Sequence, residues 1–180
     1  MANASKCWNW FKRSDQQRNQ GEPALIAGIT RQVMKDHRID ARRVYIAGLS
    51  AGGAAAAIMG EAYPDLYTAV GVHSGLACGA ARDLPSAYAA MRGDGLLRAS
   101  MSGAQHVARA LPTIVFPGDR DTTVHPRNGA EVIARASARL DATAERQSAC
   151  SGRRYTRSIQ RDAGGRSVLE QWEIHGAGRA

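Results

Sequence analysis

Lysine is scarce in this sequence: Lys6, Lys12 and Lys35 are the only three in 180 residues. The formal net charge is nevertheless +8, so the positive charge is nearly all arginine. Those arginines are scattered and gather into no stripe, and no helix-turn-helix, zinc-finger or RNA-module signature accompanies them. The charge reflects an alanine- and arginine-rich composition, and nucleic acid is not the expected partner. Cysteine is nearly absent as well. Cys7, Cys78 and Cys150 have neither paired nor zinc-like spacing, which argues against a metal site and allows at most one disulfide within the chain. No apolar run approaches the roughly eighteen residues of a membrane span, so no membrane partner is expected. The first ten residues, MANASKCWNW, carry no basic-then-apolar export signal, which places the chain in the cytoplasm if Met1 is the true start.

What remains is a composition able to pack. Hydrophobic residues make up 44% and charged residues 22%, enough for one domain over residues 1–180. Apolar positions recur at helical spacing from Glu22 to Arg38, with Pro23 tolerated in the first turn. RVYIAG (43–48), AVGVHSG (69–75) and PTIVFPGD (112–119) are apolar at successive positions and predict strands buried on both faces, as in a parallel sheet. Residues 51–62 predict a helix of small side chains, and the stretch from Ser86 to Arg109 a helix interrupted by glycines 93, 95 and 103. NGAEVIARASARL (128–140) predicts another helix, and RRYTRSI with SVLEQWEI predict two strands joined by the turn RDAGGR. Strands alternating with helices make an α/β sheet, which carries its chemistry at the carboxyl ends of the strands.

One such end reads Gly48-Leu49-Ser50-Ala51-Gly52, a match to G-x-S-x-G placed between a buried strand and a helix. The motif is short, and its context gives it weight. A serine on this sharp turn is a candidate nucleophile, and the Ala51 amide behind it is a candidate oxyanion donor at the positive end of the helix. The plainer reading is a serine that caps the helix. A nucleophilic serine needs an imidazole, and the imidazole needs a carboxylate, in the chain order serine, acid, histidine. Asp119 and Asp121 follow the third strand, and Asp121 is the favoured acid; the plainer role of either is turn formation.

YIAGLSAGGA, YPDLYTAVGVHSGL, PTIVFPGDRDTTVHPRNG and EIHGAG, with the opening CWNWF, resemble the polyhydroxybutyrate depolymerase family of secreted α/β-hydrolase esterases, related to feruloyl and acetylxylan esterases. The resemblance implies a three-layer α/β-hydrolase-like fold with a mostly parallel sheet. It implies a serine carboxyl-ester hydrolase that acts through an acyl-enzyme on Ser50 with Asp121 as acid, uses no metal or cofactor, and works outside the cell. Trp8, Trp10 and Phe11 either line the acyl or polymer cleft or pack in the core.

Two departures from the family pattern stand out. The family carries strands and an HGC-like oxyanion loop ahead of CWNWF, whereas here Met1 stands almost at that segment. Without those strands, RVYIAG is expected to present an open sheet edge through which the chain could form a homo-oligomer. The family also ends its last core strand with HGAGHAW, whose second histidine is the base; this chain reads HGAGRA, with Arg179 in that place. A guanidinium stays charged and cannot take the serine proton. His37 precedes the nucleophile, His73 follows the second strand, His106 falls in a helical stretch, and His125 is four residues past Asp121. His175, at the end of the last strand, is the remaining candidate base, with loop positioning as its plainer role. The alternative to an esterase is a non-catalytic remnant of the fold.

Overall fold

Short apolar runs build the sheet. A computed structural model describes residues 6–94, 111–138, 140, 143–149 and 154–178. Its elements are α1 (Gly21–His37), β1 (Tyr45–Leu49), α2 (Ala51–Ala62), β2 (Ala69–His73), α3 (Leu84–Met91), β3 (Thr113–Phe116), α4 (Arg127–Ser137), β4 (Thr143–Ala149), β5 (Tyr155–Arg161) and β6 (Ser167–Ile174). The six strands lie in the order β1-β2-β3-β6-β5-β4. The first four are mutually parallel, and β5 and β4 add antiparallel pairs, so the sheet is mixed and mostly parallel. This is the α/β-hydrolase-like arrangement that the sequence implied. The parallel strands point their carboxyl ends in one direction, where β1, β2, β3 and β6 release the loops that carry Ser50, Ser74, Asp121 and His175.

Helices α1, α2 and α4 share one core with one face of β1–β3, in which Ala27, Met59, Val70, Val72, Val115 and Val132 pack together. A mostly buried ion pair between Arg135 of α4 and Glu61 of α2 (Nε–Oε1 2.5 Å) fastens two of these helices to each other. The long α1 begins without a side-chain cap from Gln20. Asp15 supplies it from a distance, accepting the Glu22 amide at 2.7 Å. Glu22 in turn holds the opening aromatic segment by accepting from the Asn9 amide (2.6 Å) and side chain (2.8 Å). Arg38 closes α1 in the left-handed region (φ 51°). Among the described residues no helix is long and apolar enough to cross a membrane.

Two expectations need correction. β1 is not buried on both faces: Tyr45, Ala47 and Leu49 are exposed and only the alternate residues are partly covered. β1 is the edge of the sheet, so it lacks the neighbour and the second covering layer that a central strand has. A strand also forms at Thr143–Ala149, where the polar run TAERQSA gave no strand signal. In the stretch expected to be helical, α3 covers Leu84–Met91, started by a reciprocal cap between Asp83 and Ser86, and is interrupted at Gly93 (φ 88°) as the sequence implied; residues 95–109, His106 included, lie outside the described residues.

Candidate active site

Ser50 is the single residue between the end of β1 and the start of α2, and it adopts φ 57°, ψ −122°. A side chain rarely takes this conformation, and holding one there costs roughly 1–3 kcal/mol that the surroundings must supply. They do so from two sides. The Ser50 amide donates to the His73 carbonyl at 2.9 Å, which ties the turn to β2. The strand also meets the helix so closely that a Cβ on Gly48 would overlap the carbonyl of Gly52. A Cβ on Gly53 would lie 3.0 Å from the Gly48 and His73 carbonyls. The Ser50 side chain makes no capping bond to α2. Helix capping therefore does not explain this serine; its hydroxyl is held out of the sheet at the positive end of a helix. Ala51 opens that helix, and an amide in the first turn has no acceptor within the helix.

Asp121 follows β3 and is 6% exposed. Its Oδ1 accepts the amides of Thr123 and Val124, both at 2.9 Å, which fixes the carboxylate in its own loop. Its Oδ2 is buried and has no hydrogen-bond partner among the described residues. A buried carboxylate oxygen left empty costs free energy and calls for an explanation. One other side-chain atom shares this condition, the hydroxyl of Ser74, which stands just past β2 with φ 44°. The sequence reading gave Ser74 no role; its one signal was the dipeptide Ser74-Gly75 closing a buried strand.

His175 leaves β6 and is fully engaged elsewhere. Its Nδ1 meets Asp119 Oδ2 at 3.2 Å and its Nε2 meets Thr156 Oγ1 at 2.8 Å. Neither ring nitrogen bonds to Ser50 or Asp121, so the geometry favours the positioning role of His175 over that of the base. Burial pushes the Asp119 carboxyl up, but the Gly176 amide (2.7 Å) and His175 outweigh it and hold the group below its usual range. That Asp119 and Thr156 are the partners of His175 was not readable in the sequence, since 56 and 19 residues separate them from it. Arg179 lies outside the described residues.

The two tryptophans part company. Trp8 is 41% exposed, and its indole lies 3.9–4.0 Å from where a Cβ on Gly52 would stand, over the first turn of α2. Trp10 is buried with Ala54, Ile58 and Leu76, its ring edge-on to Phe11 at 5.8 Å. Of the two roles left open for Trp10, cleft lining and core packing, its burial favours the core: the chain turns at that point (Lys12 N–H to Asn9 carbonyl, 2.9 Å) and the indole is 6% exposed. Among the described residues no group of three or more histidine, cysteine or acidic side chains could hold a metal ion.

Comparison with known proteins agrees with this geometry. A family model described as Esterase PHB depolymerase matches residues 1–156. Poly(3-hydroxyalkanoate) depolymerase C of Paucimonas lemoignei is 29% identical over 188 residues, covering 98% of this chain and 44% of that protein. Probable acetylxylan esterase A of Aspergillus clavatus is 28% identical over 136 residues, covering 68% of this chain and 44% of that protein. The chain thus spans less than half the length of these two relatives. Acetyl xylan esterase from Aspergillus awamori shares the fold, with a TM-score of 0.78 at 19% identity over 99% of this chain and 69% of that one. From its strand-turn-helix serine to its matched sequence, the chain belongs to the PHB depolymerase family of esterases.

Proposed function

We propose that this chain is a serine carboxylic-ester hydrolase acting through an acyl-enzyme on Ser50. The observation that carries the proposal is the Ser50 turn: a strained serine whose hydroxyl does not cap its own helix has been held for chemistry. In the proposed reaction Ser50 Oγ attacks the ester carbonyl, and the tetrahedral oxyanion receives the Ala51 amide. The proton that Ser50 Oγ gives up on attack passes by way of an imidazole base to the leaving alkoxide, which departs as alcohol, and water then cleaves the acyl-serine to the acid and free Ser50. Asp121 is the acid, and its empty Oδ2 is the acceptor that an imidazole Nδ1–H would require. The relatives are named for poly(3-hydroxyalkanoate) and acetylxylan, so the proposed substrate class is a polyester or a small acyl ester reached from outside the cell. Trp8, exposed beside the serine, is the proposed acyl-side contact.

One observation favours a second reading, a hydrolase fold without turnover: the imidazole that follows the last core strand, His175, is spent on Asp119 and Thr156. A single assay separates the two. Hydrolysis of p-nitrophenyl acetate by the full chain is expected to fall at least 100-fold in Ser50→Ala, a lower bound well short of the roughly 10⁶-fold that removal of a catalytic serine can cost. Equal turnover by both proteins would leave the non-catalytic reading standing.

A further inference from the structure

The sheet brings three side chains into line that no motif connects. Thr156 of β5 pairs with Glu173 of β6, so His175, two residues further on, is its diagonal neighbour on the same face of the sheet. Past the end of β6, His175 turns its other nitrogen to Asp119 on the loop that leaves β3. We propose that Thr156, His175 and Asp119 form a clamp that holds the exit turn of β6 against the Asp121 loop, making His175 and Asp119 positioning residues for hydrolysis at Ser50. The catalytic part of this inference rests on the esterase reading above; the clamp itself does not.

Hydrogen-bond chemistry fixes the state of the ring. Ionised Asp119 can only accept, so His175 Nδ1 carries the proton. In the neutral ring Nε2 is then a bare acceptor, and the hydroxyl of Thr156, itself buried, is its donor. Asp119 uses its second oxygen on the Gly176 amide at 2.7 Å, so one carboxylate grips both the side chain and the backbone of the turn. The backbone adds its own links. The Arg120 amide donates to the Ala177 carbonyl at 2.9 Å, and the Asp119 amide to the Ile174 carbonyl at 3.3 Å. Gly118 lies so close that a Cβ there would come within 2.5–2.6 Å of the Ala177 and Gly178 carbonyls. Residues 118–120 and 174–178 therefore move as one body, and Asp121 is the next residue along. Its Oδ2 must meet a partner within hydrogen-bond reach, where a displacement of about 1 Å costs on the order of 100-fold in rate.

The test uses the full chain with His175→Ala and His175→Asn, the second because an asparagine amide can still donate to Asp119. In the unaltered protein, side-chain nitrogen NMR of the neutral ring is expected to show a protonated Nδ1 and an unprotonated Nε2. Amide exchange at Gly176 and Arg120 is expected to be at least tenfold faster in His175→Ala and close to the original rate in His175→Asn. On p-nitrophenyl acetate, His175→Ala is expected to lose about tenfold in kcat with KM changed less than twofold, and the asparagine variant to recover most of it. The opposite tautomer, or unchanged exchange at both amides, overturns the clamp. A raised KM with kcat intact overturns the positioning role. Absence of any Ser50-dependent turnover removes the esterase reading, while the NMR and exchange results still decide the clamp.

Discussion

Ser50 sets a price on function that can be measured at one position. Its φ of 57° suits glycine and strains any side chain, so Ser50→Gly is expected to be more stable than Ser50→Ala by about 1 kcal/mol while neither turns over ester. Thermal melts of the two variants check this; equal stability would mean that the turn is not strained. Gly48→Ala is the opposite case, because its Cβ would overlap the Gly52 carbonyl and nothing flexible can move aside. A loss of about 3 kcal/mol or more in chemical denaturation is expected, at the far end of what single substitutions do. These two residues, with Ala51 and Asp121, were readable because their signals are local: a glycine-flanked serine between a strand and a helix, and an acid in the first turn after a strand. The choice between cleft and core for Trp10, and the partners of His175, were not. Trp10 is buried by a turn two residues long that has no glycine to announce it, and the partners of His175 come from β5 and from the loop after β3, which only the folded sheet brings near.

Among the elements, α2 bears the most on the site, since its first turn faces Ser50 and its last turn is tied down elsewhere. Arg18 donates to the Ala62 carbonyl at 3.0 Å at the end of α2, pairs with Asp65 at 2.5 Å and lies 4.6 Å above the Tyr63 ring. Hydrogen bonds from Arg18 dominate over burial and pull the Asp65 carboxyl down to about 2. An aspartate lowered in the folded state stabilises fully above its unfolded value of about 4 and loses that contribution as pH falls from about 4 to about 2. Both side chains are substantially exposed, at 42% and 58%, so the contribution is expected to stay below about 1 kcal/mol. Melting temperature followed from pH 5 to pH 2 should therefore fall less in Asp65→Asn than in the original chain; identical slopes would show the pair to be idle. The same scale explains what was hidden in the strands. β2 and β3 declare themselves by unbroken apolar runs, as buried parallel strands do. β4 has no such run, because a terminal antiparallel strand needs only backbone partners on one side. β1 reads like β2 yet sits at the opposite edge, and sequence apolarity alone cannot say which strand ends a sheet.

For the whole molecule, that edge is the dominant physical fact. Among the described residues β1 has a neighbour on one side only, with Tyr45 and Leu49 exposed on it, and α1 turns Leu25, Ile29 and Val33 outward at helical spacing. An open strand flanked by apolar surface is a template for association, and nothing on β1 itself blunts it: Tyr45–Leu49 holds no charge and no proline. The net charge of +8 opposes association by long-range repulsion, which salt screens within about 10 Å at 0.1 M. Apolar attraction is not screened in this way, so the two effects separate with ionic strength. Size-exclusion chromatography is expected to show a larger species as protein concentration rises, and more of it at 0.5 M than at 0.05 M sodium chloride. Tyr45→Lys, placed on the exposed face of the edge, and Ile29→Glu on α1 are each expected to shift the balance to monomer at a stability cost within about 0.5 kcal/mol, since both side chains are already more than half in water. A chain that elutes as monomer at every salt and concentration would overturn this account of the edge, since screening the charge would release no association, and the two substitutions would then change nothing.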